Sequence, residues 1–402
     1  PEIEKMMLAV NQFAFSADGC LVAYNIIRDL LAHNPDWVVV ATDLSCAFQR
    51  ISRAAAGRFL LAHFPGLVPY YEACYGHFAD LHYGENVITS ETGAQQGCAW
   101  GTLICAAGHH DRLAALQEAH LGVTFVTIVD DVFMVGPAAA TAAAFVDWQG
   151  RTEEALEVPN VGKCKIWSAS AASLECEAIV AIEGEMVDGK AVGGVEVVSA
   201  LQGLRVLGGP IGSEPFCRQF YLDKAAKTEV LTVPLATLAE YEDICGLQSA
   251  VSVLRFCAEP KIAHLLRMAL PGQVLPAALV HDSAIERCFS SMLGPGDPLG
   301  VHVGDAELHL ANAGRDAGWL ESIRIARQQI RLPIRHGGSG LTRAADIAHS
   351  SFIGGMSRFV AFLGTDGAAG CKLPASMRQA AVVRRLEHSA APHCVALRSA
   401  WV

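Results

Sequence analysis

No apolar run among these 402 residues approaches the roughly 18 to 20 residues that a membrane span needs. The abundant apolar side chains are therefore expected to fill a core. Charge is scarce: Asp, Glu, Lys and Arg make up 18% of the chain against 52% apolar residues, a balance that excludes disorder. Paired cysteines are also missing. The 13 cysteines stand singly, with no C-x-x-C pair and no Cys/His cluster at zinc-ligand spacing. That pattern reads as reduced, mostly buried thiols of an intracellular protein without a structural zinc. The chain opens at Pro1 without an initiator Met or a charged-then-apolar leader, which is expected of a fragment of something longer that carries no secretory signal.

Positive charge is missing from most of the chain and concentrated at its end. Residues 323–402 hold Arg324, Arg327, Arg331, Arg335, Arg343, Arg358, Lys372, Arg378, Arg384, Arg385 and Arg398 against Asp346, Asp366 and Glu387. That stretch is +8, leaving −19 for the rest of a chain whose total is −11. The asymmetry is expected either of a polyanion-binding end or of a solvated basic face.

The stretch Thr124-Phe-Val-Thr-Ile-Val-Asp-Asp-Val-Phe-Met-Val-Gly136 sets two carboxylates, Asp130 and Asp131, between two β-branched apolar runs. It reads as a hairpin with the acids at its turn. Acids held together on a rigid sheet repel one another unless a cation neutralises them, and all-oxygen ligands suit a hard metal such as Mg²⁺. By itself the stretch also reads as a solvated turn. A second apolar run, Trp37-Val-Val-Val-Ala-Thr-Asp43, is too short for a helix and ends on an acid where a strand hands over to a helix. If the two strands are neighbours in one antiparallel sheet, Asp43 and the Asp130-Asp131 turn converge, and such a cluster suits two divalent ions roughly 3.5 to 4 Å apart.

The remaining pattern is mixed in the first half and helical in the second. Two helices fill residues 1 to 35, broken at Ser16-Ala-Asp-Gly19, with Ser16 or Asp18 expected to cap the second. Thr92-Gly-Ala-Gln-Gln-Gly-Cys-Ala-Trp-Gly101 is a glycine-rich loop opening an apolar helix, which suits either close approach by an anionic ligand or a turn needing positive φ. An Ala-rich helix over 138–157 comes after the hairpin. Next are an expected strand at Lys163-Cys-Lys-Ile-Trp167, an irregular excursion over 168–200, and a strand and turn at Val206-Leu-Gly-Gly-Pro-Ile-Gly212. From about Phe216 the pattern is helical, with Arg255, Lys261 and Arg267 at six-residue steps and expected to face a shared cleft with the first half.

Taken in order, these segments resemble the reverse transcriptases of non-LTR, LINE-like retroelements. Asp43-x-x-x-Ala47-Phe48 resembles the family's first catalytic motif, Gln96-Gly97-x-x-x-Gly101 the second and Val129-Asp130-Asp131 the aromatic-x-Asp-Asp motif. Lys163-Cys164 resembles the fourth motif and Leu207 to Gly212 the primer grip. Asn11 to Gly19 resembles the end of the fingers, Arg255 to Lys261 with Leu265-Leu-Arg267 the thumb, and Leu332 to Leu341 a post-thumb segment. Ile128 stands where the family has an aromatic, and Cys98-Ala-Trp100 where it has Asp-Pro-Leu.

The resemblance implies an α+β right-hand polymerase: partial fingers over 1–36, a palm with an antiparallel sheet and packed helices over 37–215, a helical thumb over 216–322 and a basic helical extension over 323–402. It implies RNA-directed DNA synthesis on two Mg²⁺ ions, with Mn²⁺ as a substitute, held by Asp43 and Asp130 with Asp131 in support. Lys163 would face the phosphates, Phe48, Gln96 and Gly97 the nucleotide, and Gly208, Gly209, Gly212, Arg255, Lys261 and Arg267 the primer and template. RNA template, DNA primer and dNTPs are the implied partners, in a nuclear or cytoplasmic ribonucleoprotein. Two other readings stay open: a palm that binds nucleic acid without turnover, and an RNA-templated RNA polymerase.

Overall fold

The structure is a computed structural model and describes residues 2–241, 245–294, 299, 317–374 and 377. Of the basic cluster near the end, Arg378, Arg384, Arg385 and Arg398 lie outside the described residues, as do Glu387 and most of the Gly294 to Pro298 break. The chain divides into two compact units, Pro1–Ser213 with Arg358–Leu386, and Glu214–Ser357 with Glu387–Val402. Among the described residues no helix is long and apolar enough to cross a membrane.

The first unit is built on a five-stranded sheet. After helices α1 (Glu2–Leu8) and α2 (Gly19–His33) come strand β1 (Trp37–Ala41), helices α3 (Ala47–Arg50), α4 (Arg53–His63) and α5 (Val68–Tyr75), and an exposed hairpin of β2 (Ala79–Tyr83) and β3 (Asn86–Ser90). Helix α6 (Gly101–Ala119) leads into β4 (Thr124–Ile128) and β5 (Asp131–Pro137), then α7 (Ala138–Glu154) and β6 (Lys165–Trp167). Short helices α8 (Ala171–Leu174) and α9 (Glu177–Val180) and the β7–β8 hairpin (Glu185–Val187, Lys190–Val192) precede β9 (Glu196–Val198) and a separate ribbon of β10 (Gly203–Val206) and β11 (Gly209–Gly212).

The sheet order is β4-β5-β1-β6-β9, with β9 running parallel to β6 and the other neighbours antiparallel. The parallel pair corrects the expectation of an antiparallel sheet. Its cause is local: a parallel return needs a crossover, and the segment 168–200, expected to be irregular, supplies one through α8, α9 and the β7–β8 hairpin.

Two more expectations change. Lys163 sits on a 3₁₀ turn (Val161–Lys163) ahead of the strand, which starts only at Lys165. Asp18 does occupy the position before α2, but with φ 57° and no capping hydrogen bond from its side chain; its carboxylate instead lies 3.5 Å from Arg358. In that left-handed conformation the short side chain does not accept from the first turn of the helix.

Alternation along the strands decides what each face buries. Val38 and Val40 of β1 and Val132 and Met134 of β5 join Leu113 and Leu116 of α6 and Phe145 and Trp148 of α7 in one core. The opposite face meets α2, which packs on β4, β1 and β5. A buried ion triad ties α6 to the end of α7: His109 Nε2 and Arg112 Nη2 each stand 2.9 Å from Glu157 Oε2. Burial opposes ionisation of Glu157, but the hydrogen bonds and charges of His109 and Arg112 outweigh it and hold the carboxyl below the usual range.

In the second unit α10 (Glu214–Ala239) runs against α13 (Pro271–Met292), with α11 (Gly246–Val253) and α12 (Ala263–Met268) between them in the chain. Small residues at the contact, Ala225, Ala277 and Ala278, let the helices approach closely. Asp282 on α13 accepts from Ala344 N (2.7 Å) and Ala345 N (2.9 Å) and so caps a helix distant in sequence. Burial pushes its carboxyl up to about 6 in spite of those bonds.

The Glu157 triad yields a direct test. Replacing Glu157 by Ala strands the Arg112 guanidinium and the buried His109 ring, so the unfolding free energy from urea melts is expected to fall by about 3 to 5 kcal/mol. Because the folded-state pKa is depressed, the contribution is present at neutral pH and lost as the pH falls through the folded value. Acid should therefore destabilise wild type more than Glu157→Gln.

Candidate active site at the sheet edge

Asp43 lies two residues beyond the last β1 pair, Ala41 with Phe133, and continuing that register sets it across from Asp131. The continuation is real at the intervening position. Thr42 donates to Val132 O through both its backbone N–H and its Oγ1, each at 3.0 Å. By the same alternation both acids fall on the side of the sheet away from the α6 and α7 core. Behind Asp43, the buried Cys164 Sγ accepts from Asp43 N at 3.3 Å, while Asn160 N donates to Asp43 O at 2.9 Å. Burial pushes the Cys164 thiol up to about 12, so it acts here as a neutral prop.

The β4–β5 hairpin closes between Ile128 and Asp131, leaving Val129 and Asp130 as its two central residues. Val129 has φ 56°. For a β-branched residue that left-handed conformation is a strained one, of order 1–3 kcal/mol, and hairpin turns of this kind ordinarily place Gly there. One buried side chain meets both backbone groups of Val129: Gln12 Nε2 donates to Val129 O at 3.0 Å and Val129 N donates to Gln12 Oε1 at 2.8 Å. Gln12 lies inside the Asn11 to Gly19 segment, which the sequence reading gave no role in the site.

The neighbouring acids bear on Asp131. The Asp131 carboxyl is pushed up to about 6, first by desolvation and then by the charges of Asp130 and Asp43, with Arg205 pulling the other way. Asp131 is itself exposed to water, so solvent screens the charges that act on it at this rim. Arg205, on the β10–β11 ribbon, is a further functional candidate that no motif marks; only its charge near the acids reveals it. Lys163 is the other cation here, with Nζ 3.9 Å from Asp43 Oδ2 and its side chain 71% exposed.

Phe48 and the glycine-rich loop come together. Ala94 N donates to Phe48 O at 2.7 Å, Thr92 Oγ1 to Gln49 O at 2.9 Å, and a Cβ on Gly101 would stand 3.7 Å from the Phe48 ring. The ring is half-buried at the margin of an apolar cluster with Ile51, Leu103 and Ile104. Arg53 knots the base of the loop by donating to Ser90 O, Thr92 O and Gly93 O. Gln96 and Gly97 are exposed at its tip, and Gly97 has φ 91° with open space where a Cβ would point.

In the ribbon, Leu207 (φ 48°) and Gly208 (φ 88°) form the two-residue turn between Val206 and Gly209. Gly209 serves packing instead: a Cβ would lie 2.8 Å from the Tyr24 ring, whose hydroxyl donates to Pro210 O at 2.7 Å. Gly212 ends the ribbon opposite Gly203. Arg255, Lys261 and Arg267 belong to the second unit, where Arg255 lies over the Phe256 ring and Lys261 is exposed.

Among the described residues no three His, Cys, Asp or Glu side chains are gathered into a group that could hold a metal ion by itself. The acids present an all-oxygen donor set that is still open.

No protein-family model matches the chain, and no curated protein does. Solved structures do match. A telomerase from Candida albicans, in complex with the TWJ fragment of telomeric RNA, is 11% identical with a TM-score of 0.34, over 87% of this chain and 58% of its own. An apo telomerase from Candida tropicalis is 11% identical with a TM-score of 0.35, over 90% of this chain and 57% of its own. The chain thus spans under three fifths of either, and a likeness of that extent carries no argument about the site.

The repulsion at the edge can be measured directly. A raised carboxyl means that the folded chain binds the proton more tightly than the unfolded one, so stability falls as the pH rises through the interval from about 4 to about 6. In metal-free buffer Asp131→Asn is expected to raise the melting temperature at pH 8, with the gain shrinking toward pH 5.

Proposed function

We propose that this chain carries the palm of an RNA-directed DNA polymerase of a retroelement and transfers deoxynucleotides to a primer 3′-hydroxyl. The observation that supports it most is the meeting of Asp43 with the Asp130-Asp131 turn at one sheet edge, in the motif order that the sequence resemblance implies.

The donor set fits a hard divalent cation. It is all oxygen, its members repel one another, and Mg²⁺ is usually held by one or two carboxylates plus substrate phosphates, so a closed protein cage is not required. Asp43 and Asp130 would hold the ions with Asp131 in support. When bound there, Mg²⁺ would supply the charge that makes a primer hydroxyl more acidic and offsets that of a triphosphate.

The chain's own residues do the rest. Lys163, long and exposed beside Asp43, supplies a movable positive charge or a proton to the departing phosphate. Gln96 and Gly97 line the nucleotide side, where the open space at Gly97 lets the backbone come close to a ligand. The turn at Gly208 and the ribbon to Gly212 steady the primer end, and Arg255, Lys261 and Arg267 contact phosphates of the duplex. In-line transfer of this kind is mainly a matter of positioning and charge.

Primer extension on an RNA template tests the reading: dNTP addition by wild type, and its loss in Asp43→Asn and Asp130→Asn, are expected. Retained nucleic-acid binding without extension in wild type would mean a binding-only palm, and ribonucleotide addition an RNA polymerase.

Phe48 decides sugar choice in this reading. With its ring under the incoming sugar, Phe48→Val should admit ribonucleotides while deoxynucleotide use persists. A ring that only packs would leave the deoxy/ribo ratio unchanged and lower stability, by less than the roughly 3 to 5 kcal/mol of a fully buried Phe→Ala. Lys261→Ala should weaken primer-template binding for every sequence alike and reduce the slope of log affinity against log salt by about one.

A further inference from the structure

Gln12 is 1% exposed, and its amide takes up both backbone polar groups of a single residue in the acid turn. Its own backbone is held in turn. Phe13 N donates to Thr127 O at 2.9 Å and Thr127 N to Asn11 O at 3.0 Å, so the segment lies along β4 like a short added strand. Asn11 makes the same kind of reciprocal pairing on its other side, with Lys372 N donating to its Oδ1 at 2.8 Å and its Nδ2 donating to Lys372 O at 3.1 Å. A side chain so anchored cannot follow the turn if the turn relaxes.

A two-residue hairpin turn with positive φ at its first central residue ordinarily takes Gly there, because Gly needs no outside support to adopt it. This chain has Val129 at that place. Relaxing Val129 to negative φ would rotate the adjoining peptide planes and shift Asp130 relative to Asp43 and Asp131, which the strand register holds across from one another.

We propose that Gln12 is a positioning residue of the polymerase site, clamping Val129 in its left-handed conformation and so setting where Asp130 stands relative to Asp43 and Asp131. The word polymerase rests on the functional reading above; the clamp itself does not.

The full chain, with Gln12→Ala, Gln12→Glu, Val129→Gly and the Gln12→Ala/Val129→Gly double variant, tests it with three readouts. In Gln12→Ala, amide hydrogen exchange at Val129 should accelerate while exchange at Val126 and Met134 in the strands stays slow. Mn²⁺ affinity, followed by paramagnetic relaxation without turnover, should fall by about 10-fold to 100-fold, the usual effect of losing a residue that orients metal ligands. In primer extension kcat should fall with KM for the nucleotide little changed. Gln12→Glu keeps the acceptor for Val129 N–H but loses the donor to Val129 O, and should lie between. The double variant should regain Mn²⁺ affinity, because Gly adopts the turn unaided.

Wild-type Val129 exchange and Mn²⁺ affinity in Gln12→Ala would overturn the proposal, as would a double variant no better than the single one. Should Gln12→Ala fail to fold, Gln12→Glu decides: unchanged exchange at Val129 and unchanged Mn²⁺ affinity overturn the clamp. A wild type that binds Mn²⁺ but extends no primer overturns the functional reading alone.

Discussion

Like charges gathered at the end of a sheet push apart, and the first unit is arranged around resisting that push. The ladder between β1 and β5 sets Asp43 across from Asp131, and Thr42 reinforces its last rung with two hydrogen bonds to one carbonyl. Cys164 and Asn160 fix the Asp43 backbone from behind, and Gln12 fixes the turn from the side. Each support comes from a different element, so no single segment carries the acids alone. The cost shows in the raised Asp131 carboxyl.

Much of this arrangement was legible in the sequence where the signal is local. Val-rich runs ending on acids gave β1, β4 and β5, because β-branched residues fit a half-buried pleat and short runs cannot be buried helices. What could not be read depends on distance. The partner of Gln12 is 117 residues away, and Arg205 reaches the acids only through a separate ribbon. Neither contact has a spacing rule. The parallel β9 escaped for a similar reason, since three-residue strands leave no periodicity to see. Lys163 failed locally: Pro159 lacks an N–H, and the chain leaves Pro159-Asn160 through a tight turn before extending.

Glycines show why motif letters carry two explanations at once. Gly208 is there for a positive-φ turn and Gly209 for the Tyr24 ring, needs that arise whatever the protein does. Gly93 likewise has φ 78° and backbone atoms of Gln49 within 2.6 Å of any Cβ. Gly97 differs, with positive φ but empty space beside it. Backbone conformation explains why it is Gly, while the space explains what that Gly permits. Among Gly93, Gly97, Gly101 and Gly209, it is the one with open space where a Cβ would point.

Electrostatics adds a constraint that sequence charge alone conceals. A chain of net charge −11 with three acids at one edge repels phosphate, and its bulk charge argues against a polyanion partner. Locally the field is mixed. Arg205 acts on Asp131, and Lys163 stands beside Asp43, both with exposed side chains that water screens. One cation comes from the ribbon and the other from the turn before β6, both later in the chain than β5. Two screened single charges do not reverse three acids. A phosphate would approach this edge favourably only with more positive charge present, and in the proposed function a divalent ion at the acids would be a source that offsets both repulsions together.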